Sequence, residues 1–220
     1  MEEREVQVPV GAVELEGNLR IPDDAQGVVL FAHGSGSGRH SPRNRYVAEA
    51  LHEANLATLL IDLLTPEEEE EDLRTRHLRF DIRLLADRLA GATDWLLETP
   101  DTQNLRVGYF GASTGAGAAL VAAAERTEAV GAVVSRGGRP DLAGEALPCV
   151  TAPTLLIVGG EDEPVIGMNR EALVRMRSEK ELAVVPGATH LFEEPGKLEE
   201  VARLAANWFV QHLGQKVRTG

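Results

Sequence analysis

Residues 111–115 read Gly-Ala-Ser-Thr-Gly, a G-x-S-x-G pentapeptide between the apolar run 105–110 (LRVGYF) and the Ala-rich stretch 116–124. A strand that reverses sharply into a helix needs glycines at the bend, and the reversal would leave the Ser113 hydroxyl exposed at the C-terminal edge of a sheet. A serine hydroxyl is a poor nucleophile at neutral pH. Acyl transfer through it requires a base for its proton, an acid to orient that base and donors for the developing oxyanion. His190, in PGATHLF just past the run ELAVV, is the candidate base. Of the six histidines, only His190 lies late, after a strand-like run, in a polar loop. Asp162, in GGEDEPV just past TLLIVGG, is the candidate acid, with Glu161 and Glu163 as neighbours able to serve instead.

The donors point to HGSGSG at 33–38, directly after the run 28–32, where small residues permit close approach of backbone N–H groups. The Ser35 and Thr114 amides are the candidate oxyanion donors. His33 reads as a residue that braces this loop. A phosphate cradle is another use of such a loop, but it lacks the Gly-Lys-Ser/Thr ending and the dinucleotide spacing. Arg39, Arg43 and Arg45 lie within residues 31–48, which contain no acid, and Arg136 and Arg139 follow the sixth strand-like run. Arg136 and Arg43 are candidate contacts for a substrate carboxylate. The competing reading pairs these arginines with Asp141, Asp62 or the acid run near Glu67. No His, Cys or acid cluster has metal-ligand spacing, so neither metal nor cofactor is expected.

These side chains meet only if the chain delivers them to one sheet edge. Short apolar runs at 27–32, 56–62, 105–110, 130–135, Thr154–Gly159 and 182–185 alternate with segments of helical periodicity. That alternation predicts a three-layer α/β/α sandwich around a mostly parallel sheet. VQVPV and AVELEGNLRIP add an antiparallel N-terminal pair, giving eight strands. Tyr46, Val47, Ala50, Leu51 and Ala54 share one helical face. Leu78, Ile82, Leu85, Leu89, Ala92 and Leu96 share another, and a final helix from about residue 195 carries Leu198, Val201, Leu204, Ala205 and Trp208. Residues 67–72 are six consecutive acids, read as a solvated loop and helix start. Only residues 136–153 separate the sixth and seventh strands, too few for a helical cap, although residues 63–75 can fold over the site.

Composition narrows the partners. The 220 residues suit one domain over 1–220, with 43% hydrophobic and 26% charged residues as in ordinary folded proteins. With 22 Lys plus Arg against 35 Asp plus Glu, the formal charge of −13 disfavours nucleic acid and anionic lipid surfaces. A charged N-terminus without an apolar core, no membrane-length apolar run and a single cysteine, Cys149, predict a cytoplasmic protein.

Taken together, these motifs resemble the α/β-hydrolase superfamily, most closely its small, capless dienelactone-hydrolase-like branch, over roughly residues 5 to 213. The elbow GASTG, the order Ser113, Asp162, His190 along the chain and the loop HGSGSG carry the resemblance. It implies Ser113 as nucleophile, Asp162 as acid, His190 as base, and the Ser35 and Thr114 amides as oxyanion donors. Dienelactone hydrolases proper use cysteine where this elbow carries serine, which implies a more general esterase-like chemistry. The expected function is a cofactor-free serine hydrolase acting on small carboxylic esters, thioesters or lactones. An acyltransferase with the same triad and a non-catalytic ligand binder are the alternatives.

Overall fold

The continuous apolar runs form strands buried on both faces, the pattern that parallel strands require when helices cover both sides. In the computed structural model, which describes residues 3–214, these are β3 (Val28–Ala32), β4 (Ala57–Ile61), β5 (Val107–Ala112), β6 (Val130–Arg136) and β7 (Thr154–Gly159). β1 (Arg4–Val10) and β2 (Val13–Arg20) precede them and β8 (Lys180–Val185) closes the sheet. The spatial order is β1-β2-β4-β3-β5-β6-β7-β8. β1 pairs antiparallel with β2, and β2 with β4; the remaining neighbours are parallel. The predicted eight strands and N-terminal antiparallel pair are therefore present.

Alternation along each strand divides the core. Val28, Leu30 and Ala32 face one layer, together with Leu85 and Leu89 of α3 (Ile82–Glu98) and Ala119 and Leu120 of α4 (Thr114–Glu125). Val29 and Phe31 face the other, with Val47 and Leu51 of α1 (Pro42–Glu53) and Ala205 and Phe209 of α6 (Lys197–Leu213). α5 (Glu163–Arg175) packs on the first face through Ala172. Between β6 and β7 lies only the 3-10 segment Pro140–Cys149, so no cap domain stands there.

Three local readings are corrected. Tyr46 is 44% exposed rather than part of the α1 stripe, whose buried residues are Asn44, Val47, Ala48 and Leu51. Leu78 lies outside α3, because Asp81 starts that helix by accepting the Leu84 N–H and a separate 3-10 turn holds Leu78–Phe80. Residues 63–75 are mostly helix: α2 (Pro66–Thr75) opens on a capping box in which the Glu68 N–H donates to Thr65 Oγ1 at 3.2 Å and the Thr65 N–H to Glu68 Oε2 at 2.9 Å.

Within the acid run, Glu67, Glu69, Glu70 and Glu71 are solvated, but Asp72 is buried. Its Oδ1 accepts the Leu78 N–H at 2.7 Å, and its Oδ2 pairs with the Arg79 guanidinium. Burial pushes the Asp72 carboxyl up, but Arg79 and the two turn amides outweigh it and hold the group below its ordinary value. A carboxyl so lowered stabilises the fold above its ordinary pKa, and that stabilisation is lost as pH falls through the lowered value. Asp72→Asn should cost about 2 kcal/mol at neutral pH. In paired thermal melts the deficit should shrink once pH drops below 3.8, the ordinary aspartate value; a pH-independent deficit would show that the charge is irrelevant.

Candidate active site

β5 runs to Ala112, two residues beyond the expected end, and carries the chain directly into the bend at Ser113. Ser113 has φ 51° and ψ −123°, a region that side-chain-bearing residues rarely adopt. Its N–H donates to the Arg136 carbonyl at 3.2 Å, and its carbonyl accepts the Arg139 N–H at 3.0 Å. A Cβ on Gly115 would run into the carbonyl oxygens of Ala32 and His33, which explains the second motif glycine. The bend is thus wedged between the ends of β3 and β6.

His190 and Asp162 come together as anticipated. The His190 Nδ1–H donates to Asp162 Oδ2 at 2.6 Å, fixing the tautomer that leaves Nε2 unprotonated when the ring is neutral. Asp162 occupies the N-cap position of α5 yet makes no side-chain cap there, so its carboxylate is free for the imidazole. Glu161 and Glu163 play no part in that pair. The ring lies against Gly137, where a Cβ would sit 3.5 Å from its Cε1 and Nδ1. Gly137 follows Arg136, whose carbonyl takes the Ser113 N–H, so serine and imidazole occupy the same rim of the sheet. The His190 side chain is 37% exposed and the Asp162 side chain 14%.

The loop 33–38 closes on the elbow from the other side. A Cβ on Gly34 would lie 3.1 Å from that of Ser113. His33 braces the loop as expected: its Nε2 accepts the Leu63 N–H at 3.0 Å, which places the proton on Nδ1 facing the Gly34 carbonyl at 3.0 Å. The Ser35 amide differs from the expectation. It donates to the Thr114 side-chain oxygen at 3.0 Å instead of standing free for an oxyanion. The Thr114 amide is in the first turn of α4, where no intrahelical acceptor exists. The Ser37 amide donates to the Gly34 carbonyl, so two amides of the 33–38 loop are engaged within the protein, as is the Arg39 amide, just beyond it, with Asp62. The Thr114 hydroxyl was not singled out from sequence, because x in G-x-S-x-G gives no sign of where its side chain turns.

The arginines separate into two kinds. Arg139 pairs with Asp141 at 2.7 Å, Arg45 with Glu3 at 2.8 Å, and Arg39 with Glu16 at 2.8 Å. Arg43 touches Glu193 through Nη1 at 3.1 Å, while its Nε is buried and unpartnered. Arg136 is only 7% exposed, forms no ion pair among the described residues, and buries an unpartnered Nη1. Burial, and then the nearby Arg43 charge, pushes its guanidinium down to about 10, so it remains charged at neutral pH. A groove lined by Arg43, Tyr46, Phe192 and Leu198, and also by Glu193, Glu194 and Glu199, flanks the rim on the α1 side. A cleft lined by His33, Ser35, Asp62, Asp72 and Arg79 flanks it on the α2 side.

Residues 16–215 match the sequence profile of the Dienelactone hydrolase family. The crystal structure of a dienelactone hydrolase from Anabaena variabilis is 70% identical, covers 96% of this chain and 98% of its own, and superposes with a TM-score of 0.95. Est1E from Butyrivibrio proteoclasticus shares the fold at 16% identity and a TM-score of 0.78, over 94% of this chain and 98% of its own. Proteins of two Mycobacterium tuberculosis strains, provisionally named phosphoribosyl transferases, are 61% identical over 97% of this chain. This chain spans about half their length, 47%. On the profile match and the 70% identity to a solved relative, this chain belongs to the dienelactone hydrolase family.

Proposed function

We propose that this α/β hydrolase is a serine esterase that cleaves carboxylic esters of small, acid-bearing molecules through an acyl-enzyme. The observation that carries the reading is the 2.6 Å His190–Asp162 hydrogen bond on the rim that also holds the strained Ser113. Ser113 Oγ attacks the ester carbonyl while His190 Nε2 takes its proton, and Asp162 holds the tautomer and offsets the imidazolium charge. The carbonyl oxygen becomes an oxyanion beside the Thr114 amide and the 33–35 loop. His190 returns the proton to the leaving alcohol, then activates water to release the acid.

Arg136 supports the acid-bearing part of the reading. A desolvated guanidinium without a carboxylate is costly to keep, and an anionic ligand would offset that cost. The Arg43 charge lies close enough to act on Arg136 and would add to the attraction, although its Nη1 already pairs with Glu193. The provisional name of the mycobacterial relatives favours a transferase. This chain spans only 47% of those relatives, whereas the dienelactone hydrolase match covers residues 16–215 of the chain itself, and we give the latter more weight. An acyltransferase would form the same covalent intermediate, and only the acceptor would differ.

Ser113→Ala should lower turnover of aryl esters on the order of 10⁴-fold or more while leaving the melting temperature nearly unchanged. A fluorophosphonate should label Ser113 in the wild type; failure to label at any pH, with no ester turned over, would favour a binder. Substrate charge is tested separately, by comparing a monoester of a dicarboxylic acid with a neutral ester of equal size. The acidic ester should be preferred, and Arg136→Gln should reduce that preference by roughly 10- to 100-fold. No preference, or one indifferent to residue 136, would remove the arginines from the site.

A further inference from the structure

The Ser35 N–H, expected to face the oxyanion, is aimed at Thr114 Oγ1 at 3.0 Å. Thr114 is 5% exposed, directly follows Ser113, and lies where the 33–35 loop presses on the elbow. An N–H directed at one oxygen is poorly placed to serve a second. The hydroxyl that accepts it keeps its own proton, and no protein acceptor among the described residues takes that proton. The side chain is therefore an acceptor toward the loop and an unused donor beside the elbow.

We infer that the Thr114 hydroxyl is itself a donor of the oxyanion hole, and that the Ser35 amide acts through it. The inference rests on the esterase reading above and changes which groups touch the charge. As Ser113 Oγ bonds to the carbonyl carbon, the C=O π pair moves onto oxygen and the serine proton passes to His190. The new oxyanion accepts the Thr114 N–H and the Thr114 O–H. Ser35 stays on the hydroxyl's lone pair, fixes its rotamer and polarises it toward stronger donation. When the intermediate collapses, the pair returns to the carbonyl and the same hydrogen bonds weaken, so the hydroxyl favours the transition state over the ground state. Thr114 is thus a catalytic residue through its side chain, and Ser35 a positioning residue.

The variants Thr114→Ala, Thr114→Val and Thr114→Ser separate this from packing. Valine keeps the shape and lacks the donor, while serine keeps the donor with less bulk. Against an aryl acetate, alanine and valine should lower kcat by roughly 10- to 100-fold with KM within about twofold, and serine should recover most of the rate. Inhibition by a trifluoromethyl ketone, whose serine adduct carries an oxyanion, should weaken in parallel with kcat. Binding of the product carboxylate should not change. An alanine variant as fast as wild type would show that the hydroxyl contributes nothing, and a faster one that it obstructs the hole. Equal losses in serine and valine, or a change in KM alone, would reduce the side chain to packing; each result overturns the inference. A wild type that turns over no ester and resists fluorophosphonate overturns the esterase reading together with it, whereas a labelled, active wild type confines any failure to Thr114.

Discussion

Everything at the rim depends on one residue held in a conformation it would not choose. A non-glycine residue at φ 51° and ψ −123° costs about 1–3 kcal/mol, so surrounding structure must over-determine it. Three strand ends do so. β5 supplies the bend, β6 and the turn after it fix Ser113 on both sides through the Arg136 carbonyl and the Arg139 amide, and β3 presses its last carbonyls on Gly115. The register that sets Ala32 beside Gly111 and Ala112 beside Arg136 brings these ends level. The strained turn is a consequence of sheet register, and the sheet core is what stabilises it.

The same logic places the other partners. Parallel strands end at one edge, so β7 and β8 deliver Asp162 and His190 beside β5 and β6 without any long loop. What remains is orientation. An aspartate at an N-cap position ordinarily accepts an amide of its own helix. Asp162 does not, and the α5 terminus gives up that local hydrogen bond in favour of the imidazole. The His190 loop is tied in turn by the Thr189 N–H donating to Glu194 at 3.1 Å and the Glu161 N–H to the Ala188 carbonyl at 3.0 Å. These contacts fix a histidine whose ring stays partly open to water.

How much of this was legible follows from which physics is local. The parallel strands could be read because burial on both faces leaves an uninterrupted apolar run, and the elbow because a steric demand for glycine is written into the pentapeptide. Asp162 could be placed at the right strand end, but choosing it over Glu161 and Glu163 required knowing where α5 begins. Asp72 was hidden in a run of acids, since nothing in six consecutive carboxylates says which one meets Arg79. The Thr65–Glu68 capping box was a readable signal of α2 that the acidic run obscured. That Arg136 pairs with no carboxylate among the described residues was beyond reach: Arg139, three residues on, found Asp141, and only the tertiary arrangement distinguishes the two.

The openness of the site bears on the fate of an acyl-enzyme. Transfer to an acceptor other than water requires that water be kept from the acyl carbonyl, which enzymes achieve by closing a lid or cap. Here a 3-10 segment replaces the cap between β6 and β7, and α2 covers only the side of the 33–38 loop. The His190 side chain is more than a third exposed, so on the proposed reading the base that activates water for deacylation would itself be open to bulk water. For an acyl-enzyme on such an open rim, water at its bulk concentration would outcompete any dilute acceptor that the rim does not bind tightly. The chain's net charge of −13 would act in the same direction at long range, repelling the acidic product that the proposed reading requires. Such repulsion is screened beyond about 8 Å at physiological salt, so it would hasten departure without opposing capture at contact.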